Sequence, residues 1–247
     1  MIKYTTIIST KIFVASILAI LFASCNANID WGNGIDGNGN VTTKTRNVEN
    51  NFSKIDVSRG LNVTIEQAST YFVEVEADEN LQDHITTRVE NGTLFITSDE
   101  NIDEAKAKNI RVKLPTLTAV KSTSGSSISS NGILKGTEIL IETTSGSETK
   151  LTLEFDKISC EASSGSSLTI NGKALRIKTD SSSGSSILAN ELLVNDVVSE
   201  STSGSSTNVH PLVSLRAKAS SGSSIDYNSS PKTVTKEESS GGSVSKD

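Results

Sequence analysis

Three sets of residues in this chain have types and spacings that could do chemistry. The first is Cys25, which ends "FASC" at residues 22–25. An apolar run of twelve, "IFVASILAILFA" (12–23), precedes it, behind Lys3 and Lys11. A cationic start, a short apolar run and small residues before a cysteine form a secretory signal of the bacterial lipoprotein kind. The run is too short to cross a bilayer as a helix. Lipid on Cys25 would make it the mature N-terminus and anchor the chain to a membrane, since several acyl chains hold where one is marginal. The second set is Glu142, Glu161, Asp180 and Glu200, acids at intervals of 19, 19 and 20 residues. Carboxylates brought into one column could bind a cation such as calcium weakly, because calcium takes several oxygens in flexible geometry. As glycosidase carboxylates they are poorly suited, because that chemistry needs two acids in unlike environments and these are alike, even with Lys178 and Arg216 nearby. The third set is His84, His210 and Cys160. None sits in a nucleophile or zinc motif, so no catalytic residue, catalytic metal or cofactor is expected. Cys160 reads as a small buried residue, with nothing cationic beside it in sequence.

Asp36, Asn38 and Asn40, in "GNGIDGNGN" (32–40), have the alternation of a calcium loop. Val41 stands where such a loop needs its turn glycine and Asn47 where it needs a bidentate Glu. The segment 25–40 therefore reads as a Gly/Asn-rich tether.

The elements that position these residues are strands. Between 41 and 120, "KIDVSRGLNVTIEQ" (54–67), "YFVEVEA" (71–77), "GTLFITS" (92–98) and "NIRVKLP" (109–115) alternate apolar and polar residues, the pattern of a half-buried strand. Asn91-Gly92 marks a hairpin. Residues 79–92 begin with a helical turn, and 99–108 suit a short helix or a loop.

From 121 to 247 one motif returns: "STSGSSI", "TTSGSET", "ASSGSSL", "SSSGSSI", "STSGSST", "ASSGSSI" and "ESSGGSV". The central glycines, Gly125, Gly146, Gly165, Gly184, Gly204, Gly222 and Gly241, lie 18 to 21 residues apart. A fixed period of this length means a solenoid. Seven positions before each glycine stand Thr118, Ile139, Ile158, Ile177, Val197, Leu215 and Val234. Four before it every residue is charged: Lys121, Glu142, Glu161, Asp180, Glu200, Lys218 and Glu237. Apolar odd offsets beside a charged even offset are the signature of a strand with one buried face. A 19-residue coil at about 3.3 Å per residue has a perimeter near 60 Å, which suits a flattened or three-sided parallel β-solenoid. The SGS segment is then a corner of each coil and not a linker. The low aromatic content, 4%, follows from so narrow a coil.

These features together, "FSKIDVSRGLNVTIEQ", "VEVEADENLQDHITTRVENGTLFI", "IRVKLPTLTAVKSTSGSS" and an SGS array closing in "SSIDYNSSPK", resemble the putative auto-transporter adhesin, head GIN domain family. The resemblance spans about residues 37–245. It implies a β-helix-like fold and carries over no ligand or site residue.

The chain therefore reads as all-β, a parallel β-helix-like solenoid with coils of about 19 residues behind a more irregular β-rich N-terminal region. Residues 1–24 are the signal, 25–40 the tether, 41–120 the N-terminal part and 121–247 the repeat part, with 41–247 one continuous domain. A net charge of −6 and the absence of a basic stripe exclude nucleic acid as a partner. The function expected is that of a non-enzymatic envelope lipoprotein presenting an acidic Ser/Thr-rich rod to a polysaccharide or an envelope protein. It would be anchored through Cys25, in the outer membrane. The alternative is a structural module whose open coil ends stack into assemblies; an enzyme acting on polysaccharide is a weaker reading still.

Overall fold

The structure, a computed structural model, describes residues 34–247. Cys25 and the signal segment lie outside the described residues. Sixteen strands form one continuous sheet. They are β1 (Val41–Thr45), β2 (Lys54–Val57), β3 (Asn62–Gln67), β4 (Phe72–Asp78), β5 (Ile85–Glu90), β6 (Thr93–Ser98), β7 (Lys108–Leu114) and β8 (Ala119–Ser122). The array follows as β9 (Ser127–Thr143), β10 (Glu148–Ala162), β11 (Ser167–Ser181), β12 (Ser186–Ser201), β13 (Ser206–Ala219), β14 (Ser224–Tyr227), β15 (Thr233–Glu238) and β16 (Ser243–Lys246).

Each of β9 to β13 runs from one SGS turn to the next and pairs in parallel with its neighbours. The repeat columns align as the spacing predicts: Ile139, Ile158, Ile177, Val197 and Leu215 are register partners in series. These five are buried, as are Ile128, Leu168, Ile187 and Ile225 in the facing column. Two irregularities recur in a coil. One is a register shift, as between Thr169 and Gly172 or Ala189 and Leu193. The other is a pair of adjacent outward residues, Asp156-Lys157 or Leu175-Arg176, where the burial alternation breaks. With the SGS turn they divide the coil into three sides, here called first, second and third in chain order. The narrow interior also holds hydroxyls, which satisfy one another: Thr179 Oγ1 donates to Ser199 Oγ at 2.7 Å, and Ser181 Oγ lies 2.8 Å from Ser201 Oγ. A buried hydroxyl left unpaired would destabilise by about 1–3 kcal/mol.

The SGS turn explains its own composition. Ser164 (φ +54°) and Gly165 (φ +69°) are both left-handed, and the same pair of angles recurs at every SG of the array. Two left-handed residues make a tight turn whose twist suits flanking strands. The next serine is buried and ties two coils together. Ser166 Oγ donates to the Thr143 carbonyl of the preceding coil at 2.7 Å and accepts from Ser163 N–H. Gly165 N–H donates to the Ser183 carbonyl of the following coil at 3.1 Å. In the last repeat Gly242 replaces that serine, because a Cβ there would lie 2.3 Å from the Ala219 backbone.

The N-terminal part belongs to the same solenoid, in an order the sequence does not follow. Arg59 (φ +59°) and Gly60 (φ +68°) form the first turn of the series, with Gly60 N–H donating to Ser124 O at 3.0 Å. Strands β2 and β3 thus build a coil beneath β8 and β9. The chain then passes outward, and β6 and β7 form a further coil on the far side of β2 and β3. Antiparallel strands close that end: β5 on β6, β4 on β7 and β1 on β4. Asn91-Gly92 makes the β5–β6 hairpin, and a 3-10 turn covers Glu79–Leu81.

One local expectation changes. The end of the segment read as a tether is docked from Ile35 onward. Ile35 bridges Ile102, Gly37 N–H donates to Glu104 O at 2.7 Å, and Gly39 N–H donates to the buried Asp78 carboxylate at 2.9 Å. Glycine at 37 lets the backbone approach Asp78, whose carboxylate stands where a Cβ would be. Residues 99–107 are a loop, with no helix, held by these same contacts.

The other end closes differently. In the last coil, positions that are interior in every earlier coil carry Lys236, in register with Ala217, and Glu238, in register with Ala219. Lys236 Nζ donates to Val244 O at 2.7 Å and lies 5.2 Å from the centre of the Tyr227 ring, while Glu238 accepts from Val244 N–H. Two charged side chains thereby cover the end of the core.

Candidate functional site

The third side carries the acidic column that the spacing predicts. Its outward residues are register partners in series: Phe95, Asp56, Lys121, Glu142, Glu161, Asp180, Glu200, Lys218 and Glu237. Glu142, Glu161, Asp180 and Glu200 are therefore successive rungs, about 4.8 Å apart. The strands hold them there because their odd neighbours, Ile141, Cys160, Thr179 and Ser199, are buried in the coil.

Like charges on neighbouring strands repel, and the structure shows the neutralising groups. Lys178 Nζ donates to Asp180 at 2.9 Å, and Lys121 Nζ lies 3.7 Å from Glu142. The Asp180 hydrogen bond, then its charge, holds the Lys178 ammonium above its usual pKa, with Glu200 and Glu161 adding to the effect. Arg216 reaches Glu237 at 4.0 Å. Ammonium groups thus stand among the carboxylates along the column. Among the described residues no three His, Cys, Asp or Glu side chains converge to hold a metal ion.

The other residues singled out by type lie apart from this column's outer face. Cys160 is buried, its Sγ 3.5 Å from Lys178 O; burial first, then the Asp180 and Glu161 charges, push the thiol pKa up, so it stays protonated. His84 pairs with Asp99 at 2.9 Å on the N-terminal part. His210 lies inside β13 at a register shift, although the following Pro211 suggests a turn. A strand tolerates that proline at such an irregularity. Asp36 Oδ1 accepts from Glu104 N–H and so helps dock the segment, whereas Asn38 Oδ1 closes a local turn by accepting from Asn40 N–H.

Two clefts escape the sequence because no repeat marks them. One, of about 530 Å³, lies on the second side and includes Phe155 and Ala174. Leu175, Leu193 and Leu212 border it at 52%, 46% and 43% exposure, an unusual grouping of open leucines. Lys135 and Lys173 both reach Glu154 beside it, at 3.0 and 3.4 Å, and these two bonds, Lys135 first, hold the Glu154 carboxyl below its usual pKa. The other cleft lies on the third side between Phe95 and Glu142.

With this architecture in view, residues 51–231 match the family described as "putative auto-transporter adhesin, head GIN domain". The chain belongs to this family. Solved structures share this chain's architecture. A putative adhesin from Bacteroides fragilis superposes with a TM-score of 0.81 at 20% identity, covering 87% of this chain and 100% of its own. A putative adhesin from Parabacteroides distasonis gives 0.71 at 23% identity, covering 87% and 100%. A protein from the same species described as a putative lipid binding protein gives 0.70 at 20% identity, covering 86% and 99%. At such identities the likeness is one of fold. No curated protein matches the chain by sequence. Among the described residues no helix is long and apolar enough to cross a membrane.

Proposed function

We propose that this head GIN protein is a non-enzymatic lipoprotein of the cell envelope, held at the outer membrane through lipid on Cys25. Its third side would be the face it offers to a polysaccharide or an envelope protein. The observation that carries the reading is the outward ladder from Asp56 to Glu237, with one charged side chain on each rung. A parallel sheet fixes these groups at a constant spacing, which suits recognition of an extended partner. Catalysis would instead need unlike groups converging on one reacting atom. The family and the adhesins among its structural neighbours support the same reading.

Two experiments test it. Labelled fatty acid should be incorporated by the wild-type chain and not by Cys25→Ala, which should also leave the membrane fraction; equal incorporation would overturn the anchor. Capture of envelope polysaccharide or protein should fall on charge reversal at Glu161 and Asp180. Unchanged capture would remove the ladder as the binding face.

The second-side cleft supports a different reading, binding of an acyl chain, because open leucines around Phe155 offer an apolar surface. The neighbour described as lipid binding supports it too. A fluorescent fatty acid whose binding is lost in Leu193→Asp would favour it over the third-side reading.

A further inference from the structure

The N-terminal end of the third side forms a cleft of about 180 Å³ that the acidic ladder does not account for. One wall is the column Phe95, Asp56, Lys121, Glu142; Ala119 and Leu140 belong to the adjacent column. Four successive strands span about 14 Å. The Arg88 guanidinium lies 4.9 Å from the centre of the Phe95 ring, which fixes the ring beside Asp56.

Asp56 is the informative group. It is half-buried, and burial pushes its carboxyl pKa up, with the Lys121 charge opposing. No hydrogen bond from the protein contributes to its titration. A carboxylate that is partly desolvated and not given a donor by its own protein is suited to take donors from a ligand. The charges lining the cleft balance, Lys54 and Lys121 against Asp56 and Glu142, and Arg88 behind the Phe95 ring is paired with Glu90 at 2.7 Å. The cleft therefore selects for neither an anion nor a cation. Its apolar part, Phe95, Ala119 and Leu140, lies within reach of these acceptors and ammonium groups.

A neutral pyranose has this combination of properties, with a C–H face for an aromatic ring and hydroxyls around its rim. We infer that the cleft between Phe95 and Glu142 is a subsite for a neutral pyranose unit of a polysaccharide. The sugar's C–H face would lie on Phe95 and Leu140, its hydroxyls donating to Asp56 and Glu142. The inference rests on the reading of the third side as a binding face and names its partner class.

The test presents the full chain to an array of neutral hexose, N-acetylhexosamine and anionic uronic-acid oligosaccharides, then measures the strongest binder by saturation-transfer NMR and titration. Phe95→Ala and the isosteric Asp56→Asn should each weaken binding by about tenfold or more, the loss of one good contact. Asp226→Asn, on β14 and outside this column, should change it by less than about twofold. Circular dichroism should show both cleft variants folded, and Asp56→Asn carries the decision if Phe95→Ala does not fold. Binding that survives both substitutions, or that is confined to anionic saccharides, overturns the cleft while leaving the binding face in place. A blank array overturns the cleft as well, and if capture still depends on Glu161 and Asp180 the partner is a protein.

Discussion

Gly165 and Gly172 stand in the same coil, and alanine at each should have very different effects. Gly165 belongs to the seven-fold repeated turn, whereas seven residues after the turn glycine only Gly132 matches Gly172. At Gly165 (φ +69°) an added Cβ meets nothing within 4 Å. The effect is conformational: a left-handed alanine costs about 1–2 kcal/mol, and the stiffer unfolded chain offsets about 0.4–1 kcal/mol of it. A net loss near 1 kcal/mol follows. At Gly172 (φ +114°) the Cβ would lie 2.1 Å from Leu153 O and 3.1 Å from Leu153 N. Leu153 is its register partner on β10, so the obstacle is backbone and cannot rotate away. The strands must part there, which strains about two ladder hydrogen bonds at roughly 0.5–1.5 kcal/mol each. The backbone angle adds about 1–3 kcal/mol, bringing the total to about 4 kcal/mol. The difference of about 3 kcal/mol should separate the melting temperatures by about 6–12 °C for a chain of this size. Urea and thermal unfolding followed by circular dichroism would measure it. If Gly165→Ala destabilised as much as Gly172→Ala, the contact-based reasoning would be wrong and the turn would be under some constraint beyond its backbone angles.

Three further expectations concern faces, ends and pH. Ile177→Asp should destabilise by about 4 kcal/mol or more, because it puts an unpaired charge between Ile158 and Val197. Asp180→Ser, three residues on but outward, should change stability by under about 1 kcal/mol; equal melting shifts would contradict the assigned faces. The double variant Lys236→Ala/Glu238→Ala should associate end to end as concentration rises, seen by light scattering, because it exposes the core edge to a second copy. Glu237→Ala, between them and outward, should behave as wild type, and a monomeric double variant would show that the two charges are not the cap. Burial pushes the Asp78 carboxyl up, but backbone donors from Gly39, Ala107 and Lys106 outweigh it and leave its pKa below the ordinary value. Its contribution is therefore present above the ordinary carboxylate range and is lost as pH falls through the depressed value. Asp78→Asn should flatten the acid limb of stability; an unchanged limb would assign it to other carboxylates.

The array was legible from residue types because each coil repeats one environment. Ile139, Ile158 and Ile177 face the core in the same way, so alternation and period reveal strand, face and register together. The acidic column followed from the same arithmetic, since equal offsets become adjacent rungs once the coils stack. The buried state of Cys160 followed too, from its place between Ile141 and Thr179. A repeated environment leaves a repeated trace, and where the environment is not repeated the trace vanishes. Arg59-Gly60 serves as the first turn of the series without its serines, and its role depends on Ser124, 65 positions along the chain from Arg59.

What only the tertiary structure decided are the places where distant segments meet once. The strands from 54 to 114 carry clear local alternation, but alternation gives a strand its faces and not its neighbours. Placing β6 and β7 outside β2 and β3 depends on pairing between segments about 40 to 50 residues apart, a long-range choice without a local signal. The docked Gly37, the clash at Gly172 and the Lys236–Glu238 cap depend likewise on what the backbone of another coil occupies. The same holds for the cleft at Asp56. Its carboxylate lies among ordinary strand residues in the chain and becomes distinctive when Phe95 and Lys121, from two other strands, are laid on either side of it.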